Sequence, residues 1–411
     1  MQSEKKIILG KNREKSALRY HPWIFSGAVD HVEGTPSAGE TVEVRTNGGT
    51  LLGHAGYSPA SSIRARFWSF DPEEPINEMF FGKRIHDARL LREQLKLGIA
   101  GVDLPADSPD ANLTACRIIH GEADGLPAIV IDLFGAYLIC QFSSAPADYW
   151  KNTIVQALHK EFPHVRGIYE RSDADARRRD GLEESGGLLW GEEPPEEYTI
   201  TEYGVTLLID LKHGHKTGYY LDQRENRQAV IPYSRDADVL DCCCYSGGFG
   251  LRALQGGAKS VVFLDAAKNA LDLAKKNMEL NHFPMDHAEW MQADIFLQLR
   301  KLRDMGRSFD LIILDPPKFA DTHSRLIKAA RGYKDINLLA AKLLRPGGHL
   351  FTFSCSAAMT PELFRKVVGD ATRDAGRKAL LVKSFAQSSD HPHALDFPEG
   401  YYLTGLHLIL P

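Results

Sequence analysis

From Tyr198 to the C-terminus, short apolar runs alternate with amphipathic stretches. The runs Val239-Leu240, Ser260-Val261-Val262-Phe263-Leu264, Phe309 to Leu314 and Leu350 to Phe353 have strand length and few charges. Between them, apolar residues recur at helical spacing. Ala267, Ala270, Leu271, Ala274 and Met278 fall on one face, which predicts a helix over 267–280 that buries a core stripe, with Asn281 as its C-terminal cap. This alternation is the signature of an α/β fold built on a doubly wound parallel sheet. The N-terminal part reads differently. Over 1–75, short apolar stretches such as Ile7-Ile8-Leu9 and Thr41-Val42-Glu43-Val44 alternate with Gly, Ser, Pro and Asn turns, which predicts an all-β unit. Asp71-Pro72-Glu73-Glu74-Pro75 ends it as a linker. Residues 76–180 predict a small α+β domain, with helices over 80–97 and 149–162 and strands at Cys116–Ile119, Ala128–Asp132, Tyr137–Gln141 and Gly167–Glu170. Residues 181–197, rich in Gly, Glu and Pro, read as a connection with at most a short hairpin, and 198–411 as the doubly wound domain.

Composition narrows the class. No apolar run reaches the ~18 residues a membrane helix needs, and the first residues lead straight into foldable sequence rather than a signal peptide, so a cytoplasmic location is expected. The six cysteines form no C-x-x-C pair, so no metal site is expected. Cys242, Cys243 and Cys244 read as small buried thiols. A formal net charge of −5 argues against indiscriminate nucleic-acid binding and moves attention to local clusters. One holds Lys5, Lys6, Lys11, Arg13, Lys15 and Arg19; another holds Lys212, Lys216, Arg224 and Arg227 with His213 and His215. Together they predict a directed polyanion surface. The run Arg177-Arg178-Arg179, followed by Glu183 and Glu184, reads as a solvated face.

The strand ends carry the chemistry. Open α/β sheets bind ligands at the C-terminal ends of their strands. Val239-Leu240-Asp241 ends in the loop Cys242 to Gly250, whose glycines permit close backbone approach and which opens a helix expected over 251–255. The next strand ends at Asp265, eighteen residues after Gly247, the place for an acid that takes two ribose hydroxyls. The loop is not G-x-G-x-x-G, so a nicotinamide dinucleotide is not the first choice. Asp294, at the third strand end, either accepts from an adenine amine or caps the helix starting at Ile295. Asp315-Pro316-Pro317-Lys318 follows the fourth strand and Ser354-Cys355-Ser356 the fifth. A thiol at a sheet mouth is best explained by use of its nucleophilicity, with a buried core thiol as the alternative.

The order of these features resembles the class I S-adenosylmethionine-dependent methyltransferases. That resemblance implies that Gly247 abuts the cofactor's amino-acid end, Asp265 holds its ribose and Asp294 its adenine amine. Asp315-Pro316-Pro317 resembles the motif at the reacting centre of methyltransferases that act on nucleobases or amide nitrogens.

A closer likeness covers essentially the whole chain. Arg19-Tyr20-His21-Pro22-Trp23-Ile24-Phe25-Ser26-Gly27, Gly121-Glu122-Ala123-Asp124-Gly125, His213 to Arg224, Arg331-Gly332-Tyr333-Lys334-Asp335 and Phe397-Pro398-Glu399-Gly400 resemble the bacterial large-subunit ribosomal RNA 5-methylcytosine methyltransferases with an N-terminal PUA domain. The likeness implies a PUA-like RNA-binding barrel, a central α+β domain and a Rossmann-like catalytic sheet. It implies 23S rRNA as substrate, specifically cytosine 1962, protein-free or in early assembly intermediates, with S-adenosylmethionine as cofactor. The expected cofactor-binding set is Asp241, Tyr245, Gly247, Gly248, Phe249, Asp265, Asp294, Ile295 and Pro316, with Tyr220, Asp222 and Arg224 near the pocket. The expected RNA contacts are Lys11, Arg13, Lys15, Arg19, Lys212, Lys216 and Arg227. No membrane or metal partner is implied, and a homodimer is compatible with the chain.

C5 of cytosine is a poor nucleophile. A thiolate adding to C6 activates it, which gives Cys355 a role, with Asp315 as partner at N3. Many RNA 5-methylcytosine enzymes carry a second cysteine after the Pro-Pro pair. Lys318 stands there in this chain, so removal of the C5 proton is open among Lys318, Asp315 and a water. The competing readings are a guanine-N2 methyltransferase on the same scaffold, which has no use for Cys355, and a non-catalytic RNA-binding assembly factor.

Overall fold

The computed structural model describes residues 5–97, 113–319, 326–356 and 358–411. The chain divides into two compact units. One comprises Met1–Ile200, Asp210–Leu221 and Asp390–Gly400; the other comprises Thr201–Ile209, Asp222–Ser389 and Tyr401–Pro411.

The first unit holds two sheets. Six strands lie in the spatial order Trp23–Phe25, Ile63–Ser69, Leu51–Tyr57, Thr41–Arg45, Lys6–Leu9 and Val29–Glu33. Alternation in Thr41–Arg45 points Val42 and Val44 inward, onto a core with Ile7, Leu9, Ile24 and Phe67. The second sheet runs Gly186–Gly191, Gly167–Arg171, Tyr137–Phe142, Ile129–Phe134 and Ala115–His120. Helices Glu78–Gln94 and Lys151–Glu161 pack against it through Phe81, Ile85, Ile154 and Leu158. Its edge strand Gly186–Gly191 lies inside the stretch expected to be a connection with at most a short hairpin, and it pairs antiparallel with Gly167–Arg171. Gly186, Gly187 and Gly191 hid it, because a glycine-rich strand shows no hydrophobic alternation.

The second unit is the doubly wound domain. Seven strands lie in the order Ala288–Gln292, Ser260–Asp265, Asp238–Cys242, Phe309–Leu314, Leu344–Ser354, Thr404–Leu410 and Leu380–Phe385. Neighbours are parallel except that Thr404–Leu410 runs antiparallel to both of its own. The central strands read as unbroken apolar runs because helices cover both faces; Leu240, Val262, Ile312 and Leu350 are all at most 2% exposed. Helix Lys268–Leu280 buries Ala270, Leu271, Ala274 and Met278, as its spacing predicts, and Asn281 is its C-cap. The Asn281 side chain also accepts from Thr206 N–H and donates to Thr206 carbonyl oxygen. The chain lays down strands in one direction from Asp238–Cys242 and then returns to add Phe309–Leu314 on its other side. A crevice therefore opens where the carboxyl ends of these two strands diverge.

Candidate active site

Four carboxylates and a thiol converge on that crevice. Asp241 is fully buried on the first strand; its Oδ2 accepts from Gly250 N–H at 2.8 Å, while its Oδ1 is buried with no hydrogen-bond partner among the described residues. Burial is the main cause that pushes its carboxyl up to about 7, and the charges of Asp315 and Asp265 add to the effect. Asp265 is half-buried and stitches the loop to its strand, accepting from Tyr245 N–H at 3.0 Å and Ala267 N–H at 2.9 Å. Cys243 feels Asp265, Asp315, Asp241 and Asp294 together, and burial first, then these charges, push its thiol far up. Four carboxylates thus act on the loop at the floor of the crevice.

The loop at its floor is shaped by unusual backbone. Cys243 (φ 59°) and Tyr245 (φ 48°) are non-glycine residues in left-handed conformation, and Gly247 follows at φ 82°. Such residues cost about 1–3 kcal/mol each unless the surroundings impose them. Here Cys243 N–H donates to Leu264 carbonyl at 2.8 Å and Tyr245 N–H to Asp265. The helix begins at Gly248, earlier than its expected start at 251, and runs to Gln255. Gly250 faces Phe263, so that a Cβ there would lie 2.2 Å from the ring.

On the other side of the crevice, the parallel register pairs Leu314 with Thr352, which sets Asp315-Pro316 beside Phe353 to Cys355. Cys355 is partly exposed, and its Sγ lies 4.0 Å from the Pro316 carbonyl oxygen. Tyr333, fully buried on helix Leu326–Leu343, shares a 3.3 Å hydrogen bond with Ser356 and feels both Cys355 and Asp315. Burial above all pushes its phenol up to about 12. The Phe319 ring lies 4.7 Å from Tyr333, tilted by 45°, and 5.7 Å from Phe296, forming an aromatic wall. Gln223 Nε2 donates to Asp315 Oδ1 at 2.9 Å. Neither Gln223 nor Tyr333 carries a role in the sequence reading; both are readable there only as members of longer motifs.

A family profile for S-adenosylmethionine-dependent methyltransferases matches residues 177–396, and one for PUA-like domains matches 7–70. The chain is 49% identical over 401 residues to the ribosomal RNA large subunit methyltransferase I of Vibrio campbellii, covering 97% of this chain and 98% of that one. It is 46% identical over 400 residues to the protein of that name from Escherichia coli O157:H7, with 97% and 98% coverage. The chain belongs to the ribosomal RNA large subunit methyltransferase I family. It is an S-adenosylmethionine-dependent enzyme of the large-subunit rRNA methyltransferases. A crystal structure of a methyltransferase complexed with SAH has the same fold across 98% of this chain and 99% of its own, with TM-score 0.84 at 22% identity. A Streptococcus mutans SAM-dependent methyltransferase gives TM-score 0.82 at 22% identity, with the same coverage.

The residues of this family member fit that cofactor. A buried carboxylate oxygen, Asp241 Oδ1, without a partner among the described residues and close enough to Asp315 and Asp265 to feel their charge, suits a ligand carrying an ammonium and a sulfonium. Gly247, Gly248 and Phe249 form the turn and first residues of the adjoining helix, and buried Ile295 follows the third strand. Asp294 is exposed and caps helix Ile295–Asp304, accepting from Leu297 N–H at 3.1 Å. Asp222 is buried and accepts from the Tyr402 hydroxyl at 2.8 Å; Arg224 is fully buried. Tyr220 belongs to the first unit, where it bonds His215 at 3.1 Å and lies under Lys216 Nζ at 5.6 Å from its ring centroid.

The basic clusters separate into exposed and structural members. Lys11, Arg13, Lys15, Arg19 and Lys216 are exposed. Lys212 is held by Glu193 at 3.0 Å and Glu196 at 3.1 Å. Arg227, expected to contact RNA, is instead 3% exposed and paired with buried Glu202 at 2.6 Å. A buried guanidinium so engaged is a fold contact, not an RNA contact. Arg177, read as part of a solvated run, is likewise buried, donating to Phe142 carbonyl and Asp148. Cys242 and Cys244 are buried, as expected of small core thiols, while Cys243 is partly exposed. Among the described residues no group of three or more metal-ligating side chains converges.

Proposed function

We propose that this enzyme methylates C5 of a cytosine in 23S rRNA through a covalent adduct between Cys355 and C6, with cytosine 1962 as the target implied by its family. One observation carries the reading: a partly exposed thiol, its Sγ 4.0 Å from the Pro316 carbonyl oxygen, just past the end of the strand that pairs in parallel with the one leading into Asp315. Amine methylation, as in the guanine-N2 alternative, gives that thiol no work. An assembly factor without catalysis gives none to the buried, partnerless oxygen of Asp241.

Asp241, Tyr245, Gly247, Gly248, Phe249 and Ile295 would hold the cofactor, with Asp265 at its ribose, Asp294 at its adenine amine and Pro316 beside the methyl-bearing end. When bound, S-adenosylmethionine supplies the electrophilic methyl group that C5 takes. The Cys355 thiolate forms the bond to C6 while the proton of Asp315 moves to N3, so C5 becomes an enamine-type carbon. After methylation a base removes the C5 proton, the C6–S bond breaks, and N3 returns its proton to Asp315. Lys318, exposed two residues beyond Pro316, is one candidate base, beside Asp315 itself and water.

Lys11, Arg13, Lys15, Arg19, Lys212 and Lys216 supply phosphate contacts in this reading. Taking a cytosine out of its stack costs a few kcal/mol, least where it is unpaired, which favours protein-free RNA over assembled subunits. Fluorine at C5 leaves no proton to remove, so an RNA carrying 5-fluorocytidine at the target should hold the enzyme in an adduct stable to denaturant. A Cys355→Ser variant should form none. An adduct that survives this substitution would assign the nucleophile elsewhere.

A further inference from the structure

We infer that Tyr20 and Phe25 form a stacking platform for unpaired bases of the substrate RNA, beside the basic turn of the same unit. The inference rests on the reading above that Lys11, Arg13, Lys15 and Arg19 contact RNA phosphates, and it adds what the neighbouring bases rest on.

Three of the eight residues from Leu18 to Phe25 are large, apolar and open to solvent. Leu18 is 60% exposed, Tyr20 61% and Phe25 48%. The two rings are braced by other rings. Tyr20 sits edge-on to Phe70 at 5.3 Å, and Phe70 stacks at 4.2 Å on the buried Phe67. Phe25 lies 6.1 Å from Trp23 and 6.5 Å from His21, and both of these pack on Phe397, at 4.8 Å and 5.7 Å. Trp23 Nε1 donates to Glu122 Oε1 at 2.7 Å. His21 Nδ1 accepts from Trp23 N–H at 3.2 Å, so its Nε2 carries the proton that faces Glu399 at 3.3 Å. Trp23 and His21 thus use their polar atoms inside the cluster, and Phe25 presents only π surface. Tyr20 is itself held at φ 63°, the left-handed region that a bulky side chain rarely adopts, with its N–H donating to Ala17 carbonyl oxygen at 2.9 Å. An exposed position of that kind is ordinarily glycine or asparagine; here it keeps a ring that burial does not demand.

Charge decides the occupant. From Lys11 to Phe25 the four cations Lys11, Arg13, Lys15 and Arg19 stand against Glu14 alone, a net +3. All four are exposed and make no ion pair among the described residues. Two backbone bonds tie this basic stretch to the aromatic one: His21 N–H donates to Ser16 carbonyl oxygen at 3.0 Å, and Gly10 N–H to Ala28 carbonyl oxygen at 2.9 Å. Exposed aromatic faces among cations are the composition of a single-stranded nucleic-acid site, where bases stack on rings while the backbone follows the charge. A protein partner fits less well, because lysine is depleted in such interfaces. In a duplex the base faces are already stacked on one another, so the platform selects unpaired RNA.

The test measures binding of the full chain to a short fluorescent single-stranded RNA and to its duplex at several salt concentrations. Phe25→Ala and Tyr20→Ala should each weaken single-strand binding about tenfold, leave duplex binding within about twofold, and leave the salt slope unchanged. Phe25→Trp should bind single strands at least as tightly as wild type. Phe25→Leu, apolar but without a π face, should lose as much as Phe25→Ala. Misfolding cannot produce that contrast. Alanine at all four cations should instead weaken both RNAs and flatten the slope. If that four-site variant is weakened while either aromatic variant binds single strands as wild type does, or loses both RNAs equally, the platform inference alone is overturned. If the four-site variant binds both RNAs as wild type does, the phosphate reading falls, and the platform falls with it. Unchanged RNA binding by Phe25→Ala together with a shift to smaller species in sedimentation would assign the face to a second copy of this chain and overturn the inference as well.

Discussion

Asp241 presents an unusual balance: a fully buried carboxyl, held up to about 7 by burial first and by neighbouring carboxylates second, with one oxygen lacking a partner among the described residues. A folded-state value above the unfolded one means the proton stabilises the fold. That contribution is complete below about 4 and is lost as pH rises through about 7. A cationic ligand reverses the preference. In the proposed cofactor site, pairing with the ammonium would favour the ionised form, so that binding would expel a proton. Cofactor affinity should therefore rise about tenfold between pH 6 and pH 8, the factor expected when a group of this pKa must deprotonate on binding. Calorimetry in buffers of different ionisation enthalpy reads the released proton directly. Asp241→Asn should flatten the profile, and a flat profile in wild type would separate Asp241 from the cofactor's charge. Arg227 shows the opposite lesson about single residues. Its place in a basic cluster made it look like an RNA contact, but its partner Glu202 is twenty-five positions away and invisible to local charge counting.

At the scale of elements, the sheet and its acids were legible and the polar contacts between distant segments were not. Apolar runs bounded by Asp241, Asp265 and Asp315 mark parallel strands, because helices bury both faces and leave only the termini for polar residues. The Asp-Pro-Pro and Ser-Cys-Ser segments stand out because both follow such runs. Gln223 and Asn226 carry no such mark, since their partners lie 92 and 160 positions away. The edge strand Gly186–Gly191 was hidden for a different reason: glycine contributes no side chain to a periodic pattern. Helix Gly248–Gln255 illustrates a sequence feature with a steric meaning only the fold supplies. Gly250 meets Phe263, whose ring is itself stacked on Trp290 at 4.6 Å and cannot swing away freely. Gly250→Ala should cost about 1–3 kcal/mol in chemical denaturation, as overpacking of a filled core does, and should weaken cofactor binding by moving the loop. Unchanged stability would show that the helix shifts without penalty.

For the whole molecule, a net charge of −5 and a polyanionic substrate make the local distribution of charge decisive. Lys11, Arg13, Lys15 and Arg19 are exposed within nine residues of a unit matched by the PUA-like profile. Replacing all four by alanine should reduce the slope of log affinity against log salt by about 3, at about 0.7 per single-stranded phosphate contact. An unchanged slope would place the RNA on another surface. No helix among the described residues is long and apolar enough to cross a membrane.

The central claim is that Cys355 attacks a cytosine. It is tested most directly by supplying labelled S-adenosylmethionine and protein-free large-subunit rRNA, from cells lacking the enzyme, to wild type and to Cys355→Ala, then identifying the labelled nucleosides by mass spectrometry. The account predicts 5-methylcytidine with wild type and none with the variant. Methylguanosine, or 5-methylcytidine formed equally by both proteins, would contradict it.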